Sequence, residues 1–95
     1  MKPMTAAQKR YASRVAEIGC IVSYNLGYPE TPCELHHVYS KVNGKMRNHD
    51  DIIPLSPEFH RWRSDAVHVN KKLFESRYGT EQELLAQVKD LIDGK

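Results

Sequence analysis

Apolar residues along the chain follow two different spacings, and the change between them divides the sequence. Tyr11, Val15 and Ile18 recur at the helical period. Thr5 offers a hydroxyl to cap that segment and Gly19 is a natural stop, so a helix is predicted over 5–18. Residues 20–32 contain Gly27, Pro29 and Pro32 and read as a loop, with a short extended stretch at 20–22. Over 34–39 the pattern alternates around Leu35 and Val38, which predicts a strand. Residues 40–51 are polar and hold Asn43-Gly44, a strong turn signal. Ile52-Ile53 then predicts a second short strand, closed by Pro54.

The helical period returns after Leu55. Ser56-Pro57-Glu58 combines an N-cap, a proline suited to the first helical position and an acid near the positive helix end. The helix it starts carries Phe59, His60 and Trp62 and fades near Ser64; Trp62 could stack on a nucleic-acid base, but the reading preferred is a place in the small core. A helix over 70–78 turns Leu73 and Phe74 inward and stops at Gly79. Thr80-Glu81-Gln82-Glu83 is a capping box. It opens a last helix over 81–92 with Leu84, Leu85, Val88, Leu91 and Ile92 on its apolar stripe. The fold class is therefore α+β, mostly helical outside a short β-hairpin.

At 95 residues the chain is expected to form one domain, 1–95, with a thin core. Domains of this size commonly lean on a bound metal or a partner subunit. The 40% hydrophobic and 27% charged composition excludes a disordered polar tract. A net charge of +2 is too weak to mark a nucleic-acid binder. The distribution says more: acids gather at Glu75, Glu81, Glu83, Asp90 and Asp93, and bases in 41–63 and at Lys71, Lys72 and Arg77. On one face those bases would meet a phosphate backbone; spread out, they form an ordinary solvated surface. The N-terminus has no hydrophobic leader, no apolar run is long enough to span a bilayer, and Cys20 and Cys33 are expected to stay reduced in the cytoplasm.

All five histidines lie in 36–68, namely His36, His37, His49, His60 and His68. Neutral imidazole ligates zinc, manganese and similar ions, and it titrates near neutrality, which suits a general base. Adjacent residues of a strand point to opposite faces, so His36 and His37 can do two different jobs. His60, one turn into a helix, meets His36 at one ion if that helix crosses the hairpin, and His68 could add a ligand from the following loop. Each histidine alone is more often a surface or hydrogen-bonded residue. The combination of a His-His strand, a polar loop, a strand ending in Pro-Leu and a helical histidine is more specific.

Glu34-Leu35-His36-His37-Val38 followed by Ile52-Ile53-Pro54-Leu55-Ser56-Pro57-Glu58-Phe59-His60-Arg61 resembles the HNH endonuclease motif, the ββα-metal or His-Me finger. It is most similar to the phage recombination-enhancement (Ref) family of RecA-dependent nucleases. The tail Phe74-Glu75-Ser76-Arg77-Tyr78-Gly79-Thr80-Glu81-Gln82-Glu83-Leu84-Leu85 shares that likeness, which covers about 20–92, with the motif itself within about 20–68. The resemblance implies a DNA endonuclease with one divalent metal, magnesium, manganese or zinc. His36, His60 and His68 match metal-ligand positions and His37 the general base. Asp51 stands where many relatives have an orienting Asn, a role that Asn48 or His49 could take instead. Lys45, Arg47, Arg61 and Arg63 are candidates for phosphate contacts. DNA and a RecA filament are the implied partners, in a bacterial host's cytoplasm with the gene carried by a phage.

The likeness is incomplete at one place. Many relatives carry a structural zinc on two cysteine pairs, and here the matching positions read Cys20, Ser23, Ser56 and Phe59. A hydroxyl is a poor zinc ligand and a phenyl ring is none, so the structural zinc is expected to be absent, with Phe59 and apolar neighbours filling the space. Cys33 matches no ligand position and reads as a small half-buried residue. The alternative is a non-catalytic DNA- or protein-binding module on a degenerate HNH scaffold, or a purely structural zinc module. Closure by four protein ligands would favour the latter, and an open position would favour catalysis.

Overall fold

Thr5 starts the first helix by a reciprocal exchange: its Oγ1 accepts from the Gln8 backbone N–H at 3.1 Å, and Gln8 Oε1 accepts from the Thr5 N–H at 2.9 Å. In the computed structural model, which describes residues 3–39 and 47–94 with the side chains of 39 and 47–49 excluded, this helix, α1, spans Ala6–Ile18. It ends at Gly19, whose φ is +78°. A Cβ there would lie 2.8 Å from the backbone of Glu30 and Thr31, so only glycine allows that close approach.

The expected extended stretch at 20–22 is instead the start of a short helix, α2, Ile21–Asn25. Cys20 Sγ caps it, accepting from the Ser23 N–H at 3.4 Å. Ile21 and Val22 are buried, and that burial overrides the weak helical preference of two β-branched residues. The loop assignment fails over those five residues and holds beyond them.

β1, Glu34–Tyr39, pairs antiparallel with β2, Arg47–Leu55, in the register His36↔Ile53 and His37↔Ile52. The second strand is longer than predicted and runs through Pro54 instead of stopping before it. Among the described residues the sheet has two strands, each with an unpaired edge, and an edge accepts a residue without an N–H. The pairing is irregular between His37 and Tyr39. The expected Asn43-Gly44 turn lies outside the described residues.

Ile52 and Ile53 are neighbours on β2 and both are fully buried. Alternation puts them on opposite faces, so both faces of this strand are covered. Helices α1, α2 and the C-terminal helix all contact it. Burying each of these isoleucines contributes about 1.5–3 kcal/mol. Val15, Ile21, Val22, Val38, Leu55 and Phe74 complete the centre of the same cluster.

After Leu55 the chain enters a single wide turn of π-helix, Glu58–Trp62, closed by Arg63 N–H to Glu58 O at 2.9 Å. The expected Ser56 cap is present in substance: its carbonyl accepts from His60 N–H at 2.8 Å and its Oγ from Phe59 N–H at 3.4 Å. Helix α3, Lys71–Tyr78, is capped by Asn70 and ends at Gly79, with Phe74 fully buried and Leu73 partly so. Helix α4, Glu81–Asp93, has the predicted Thr80–Glu83 capping box, and buries Leu84, Leu85, Val88 and Ile92. The fold is thus α+β, a hairpin wrapped by four α-helices and one π-turn. No described helix is long and apolar enough to cross a membrane.

Candidate metal centre

Three elements each deliver one histidine to a single place. β1 presents His36 on the face it shares with Glu34 and Val38, and His36 is buried. The π-turn presents His60. The loop after it doubles back, with Val67 N–H donating to Phe59 O at 2.9 Å and His68 N–H to His60 O at 3.1 Å. Those two bonds bring His68 beside His60 despite the residues between them. One ligand-capable atom from each of His36, His60 and His68 lies within 4.8 Å of the others. His68 is on the exposed side of the group.

The returning loop is pinned by Asp65, which is fully buried. Its carboxylate accepts from Arg63 Nε at 2.8 Å, Arg77 Nη1 at 3.0 Å and Tyr78 Oη at 2.6 Å. Hydrogen bonds from Arg63 and then Tyr78 outweigh burial and hold this carboxyl well below the usual range. Asp65 therefore fixes the backbone that carries His68.

Two glutamates set the outward nitrogens of the rings. His36 Nε2 makes a very short contact with Glu81 Oε2, from the first turn of α4. Lys71 Nζ sits 3.0 Å from the other oxygen of Glu81. Burial works against ionisation of Glu81, but the hydrogen bonds from His36 and Lys71 prevail and bring its pKa down to about 2. His60 Nδ1 lies 2.8 Å from Glu34 Oε1, and Arg61 clamps Glu34 through Nε at 3.0 Å and Nη2 at 2.6 Å. The hydrogen bonds from Arg61 and His60 lower the Glu34 pKa to about 2.

An ionised carboxylate only accepts, so His36 Nε2 and His60 Nδ1 carry the protons they donate. The remaining nitrogens, His36 Nδ1 and His60 Nε2, face each other at 3.2 Å. In two neutral rings both are lone pairs. That arrangement is satisfied only by a cation, a proton or a metal ion, between them. Two nitrogens bound tetrahedrally to one zinc ion lie about 3.3 Å apart, given bonds of about 2.0–2.1 Å. An all-imidazole set with carboxylates on the outer nitrogens is also the usual second shell of a histidine metal site. The donors fit a divalent ion of the zinc or manganese type.

The other residues singled out from the sequence are spread around this centre. His37 is half-buried, opposite Ile52 on β2, and outside the group of three. Asp51 lies in the irregular part of the hairpin, and its Oδ1 accepts from Lys89 Nζ at 3.0 Å. Arg61 and Arg63 are both engaged with carboxylates of the chain itself, as is Lys71 with Glu81. Among the described residues, Arg61, Arg63, Lys71 and Arg77 are thus held in ion pairs within the chain. Lys45 and the side chains of Arg47, Asn48 and His49 lie outside the described residues.

Of the residues singled out for a structural zinc, Cys20 Sγ caps α2, Ser56 Oγ accepts from the Phe59 N–H, and Phe59 packs edge-on against Tyr78 with ring centroids 5.0 Å apart. Cys33 is partly buried against the core, its thiol pushed up by burial and by Cys20, and both cysteines are free. Trp62 does not join the core as expected. It is 63% exposed, since the π-turn directs it away from the packed side.

Sequence reasoning missed Glu34 and Glu81. Glu34 had a usable signal, the two-residue period that puts it on the face of His36. Glu81 had none, because it is distant in sequence and its segment already had a sufficient local role in capping α4.

Comparison with protein families gives one match. The family model described as "Recombination enhancement, RecA-dependent nuclease" matches residues 4–93. No curated protein matches the chain.

Proposed function

Since the chain belongs to the recombination-enhancement, RecA-dependent nuclease family, and so to proteins with a nuclease role in recombination, we propose that it is an HNH-type DNA endonuclease. The carrying observation is the convergence of His36, His60 and His68, with the inner nitrogens of His36 and His60 facing each other and an ionised glutamate behind each of those two. In this reading those three histidines hold one divalent ion. Bound there, such an ion supplies Lewis-acid stabilisation of charge on a phosphodiester.

His37 serves as general base, taking the proton from the attacking water on its neutral ring. Its place beside His36 supports this, because the backbone that fixes the ligand also fixes the base. Glu81 and Glu34 act on the ligands, holding each tautomer so that the inward nitrogen stays free. His68, on the exposed side, leaves the group accessible to a polymer substrate, which favours catalysis over a sealed structural site. DNA is the substrate and a RecA filament the partner. Asp51, Asn48 or His49 orients the base; of these, Asp51 also accepts from Lys89 Nζ.

The test is a nicking assay on supercoiled plasmid at low salt with magnesium, manganese, zinc or EDTA, repeated on single-stranded DNA with a RecA filament. Metal-dependent cutting is expected for the wild type. His37→Ala should cut about 10²–10⁴-fold more slowly, the usual worth of a general base. Absence of cutting on every substrate, with His37→Ala indistinguishable from the wild type, would overturn the proposal in favour of a non-catalytic binding module.

A further inference from the structure

Trp62 is the only tryptophan of the chain, and most of its surface is open to solvent. Exposing a large aromatic forgoes burial energy that its size would supply, so its placement asks for a partner. The ring is not on a frayed end. It sits on the π-turn two residues after His60, between Arg61 and Arg63.

The Arg61 guanidinium carbon lies 5.6 Å from the indole centroid. The same guanidinium is clamped on Glu34, which in turn holds His60. Arg61 is therefore held on Glu34 beside the indole, whose ring remains mostly open to solvent. Arg63 is held over the Phe59 ring by Asp65, with half of its side chain still exposed. The result is an exposed aromatic ring beside one fixed guanidinium, a short chain of contacts away from the histidine group.

We propose that the open face of Trp62 is a stacking platform for an unpaired nucleotide base of the strand engaged at the histidine centre. This rests on the nuclease reading and adds a substrate preference to it. A nucleotide offers a flat apolar ring beside an anionic phosphate, which complements an indole with the Arg61 guanidinium at its ring. Bases inside a duplex already stack on each other and offer no free face. The platform therefore selects single-stranded or locally opened DNA, without sequence preference, because every base has a π-face. Fixing Arg61 on Glu34 beforehand lowers the ordering cost of binding.

Because Trp62 is the sole tryptophan, its fluorescence reports the contact directly. The protein as purified is titrated with a hydrolysis-resistant phosphorothioate oligothymidylate of about a dozen nucleotides, a length typical of single-strand sites. A blunt duplex and an abasic oligomer of equal charge serve as controls. Quenching by the oligothymidylate alone is expected. By anisotropy of a labelled strand, Trp62→Ala should bind single strands roughly tenfold more weakly and Trp62→Phe should keep most of the affinity, the loss expected for one stacked base. Trp62→Ala should melt like the wild type, since the ring is exposed.

Equal quenching by the abasic oligomer, or unchanged single-strand affinity in Trp62→Ala, would overturn the proposal. Loss of RecA-stimulated cutting in Trp62→Ala at unchanged DNA affinity would also overturn it, and would assign the face to a protein partner. Base-dependent quenching without any plasmid cutting would leave the platform standing and remove the nuclease reading. Cutting without such quenching would do the reverse.

Discussion

Two polar clusters share the loop 63–70, one on Asp65 and one reaching His68, and they are built on opposite principles. Around Asp65 every acceptor meets a donor: Arg63, Arg77 and Tyr78 close on one carboxylate and use it up. Around His36, His60 and His68 the carboxylates stand on the outside, and two acceptor nitrogens are turned toward each other. The first cluster is complete in itself and holds the loop. The second is incomplete without a cation. A buried network that closes on itself stabilises a fold, whereas one that leaves converging lone pairs is arranged for a ligand.

The comparison is most easily broken at a ligand. His60→Ala removes one of the two facing nitrogens, and it should abolish both metal uptake and plasmid cutting while leaving a folded protein. A chelator in excess should do the same to the wild type reversibly. The next effect is subtler. Glu81→Gln leaves all three histidines in place but weakens control of the His36 tautomer, so metal affinity should fall roughly 10–100-fold in competition with a calibrated chelator.

The closed cluster should respond differently. Asp65→Asn is expected to cost about 2 kcal/mol in urea denaturation, below the usual value for a broken buried pair, because the partner arginine side chains are 48% and 54% exposed and water can take them back. Its dependence on pH follows from the sign of the shift. The folded pKa of Asp65 is depressed, so the stabilisation is complete above the unfolded value of about 3.9 and is lost as pH falls through the lower folded one. The difference between wild type and Asp65→Asn should therefore be full at neutral pH and shrink below about pH 4. The smallest effect belongs to the pair between Lys89 and Asp51: Lys89→Met should change stability by less than about 1 kcal/mol, since the lysine side chain is 43% exposed and water can replace its partner.

Much of this arrangement was legible in the sequence wherever local chemistry decides. Thr5 and Thr80 cap helices, Gly19 and Gly79 end them, and alternation around Leu35 and Val38 gives β1, whereas Asn70, read as helical, is the cap of α3. The spacing of histidines pointed to the three that converge. What escaped depends on contacts between distant segments. Ile21 and Val22 are helical because they are buried, not because of their propensity. The polar beginning of β2 forms a strand through pairing with β1, which no hydrophobic pattern announces. Trp62 looked like a core residue by type, and only the direction of the π-turn puts it outside. Glu81 meets His36 across the fold, a contact visible only once α4 lies against the hairpin.

The most direct measurement of the central claim is the stoichiometry of divalent metal binding, by calorimetric titration of metal-free wild type, His37→Ala and His60→Ala. The account predicts one ion per chain for the wild type and for His37→Ala, and none at the same concentrations for His60→Ala. Failure of the wild type to take up any divalent ion, or equal loss of binding in His37→Ala, would contradict the assignment of His36, His60 and His68 as the ligands and His37 as the base beside them.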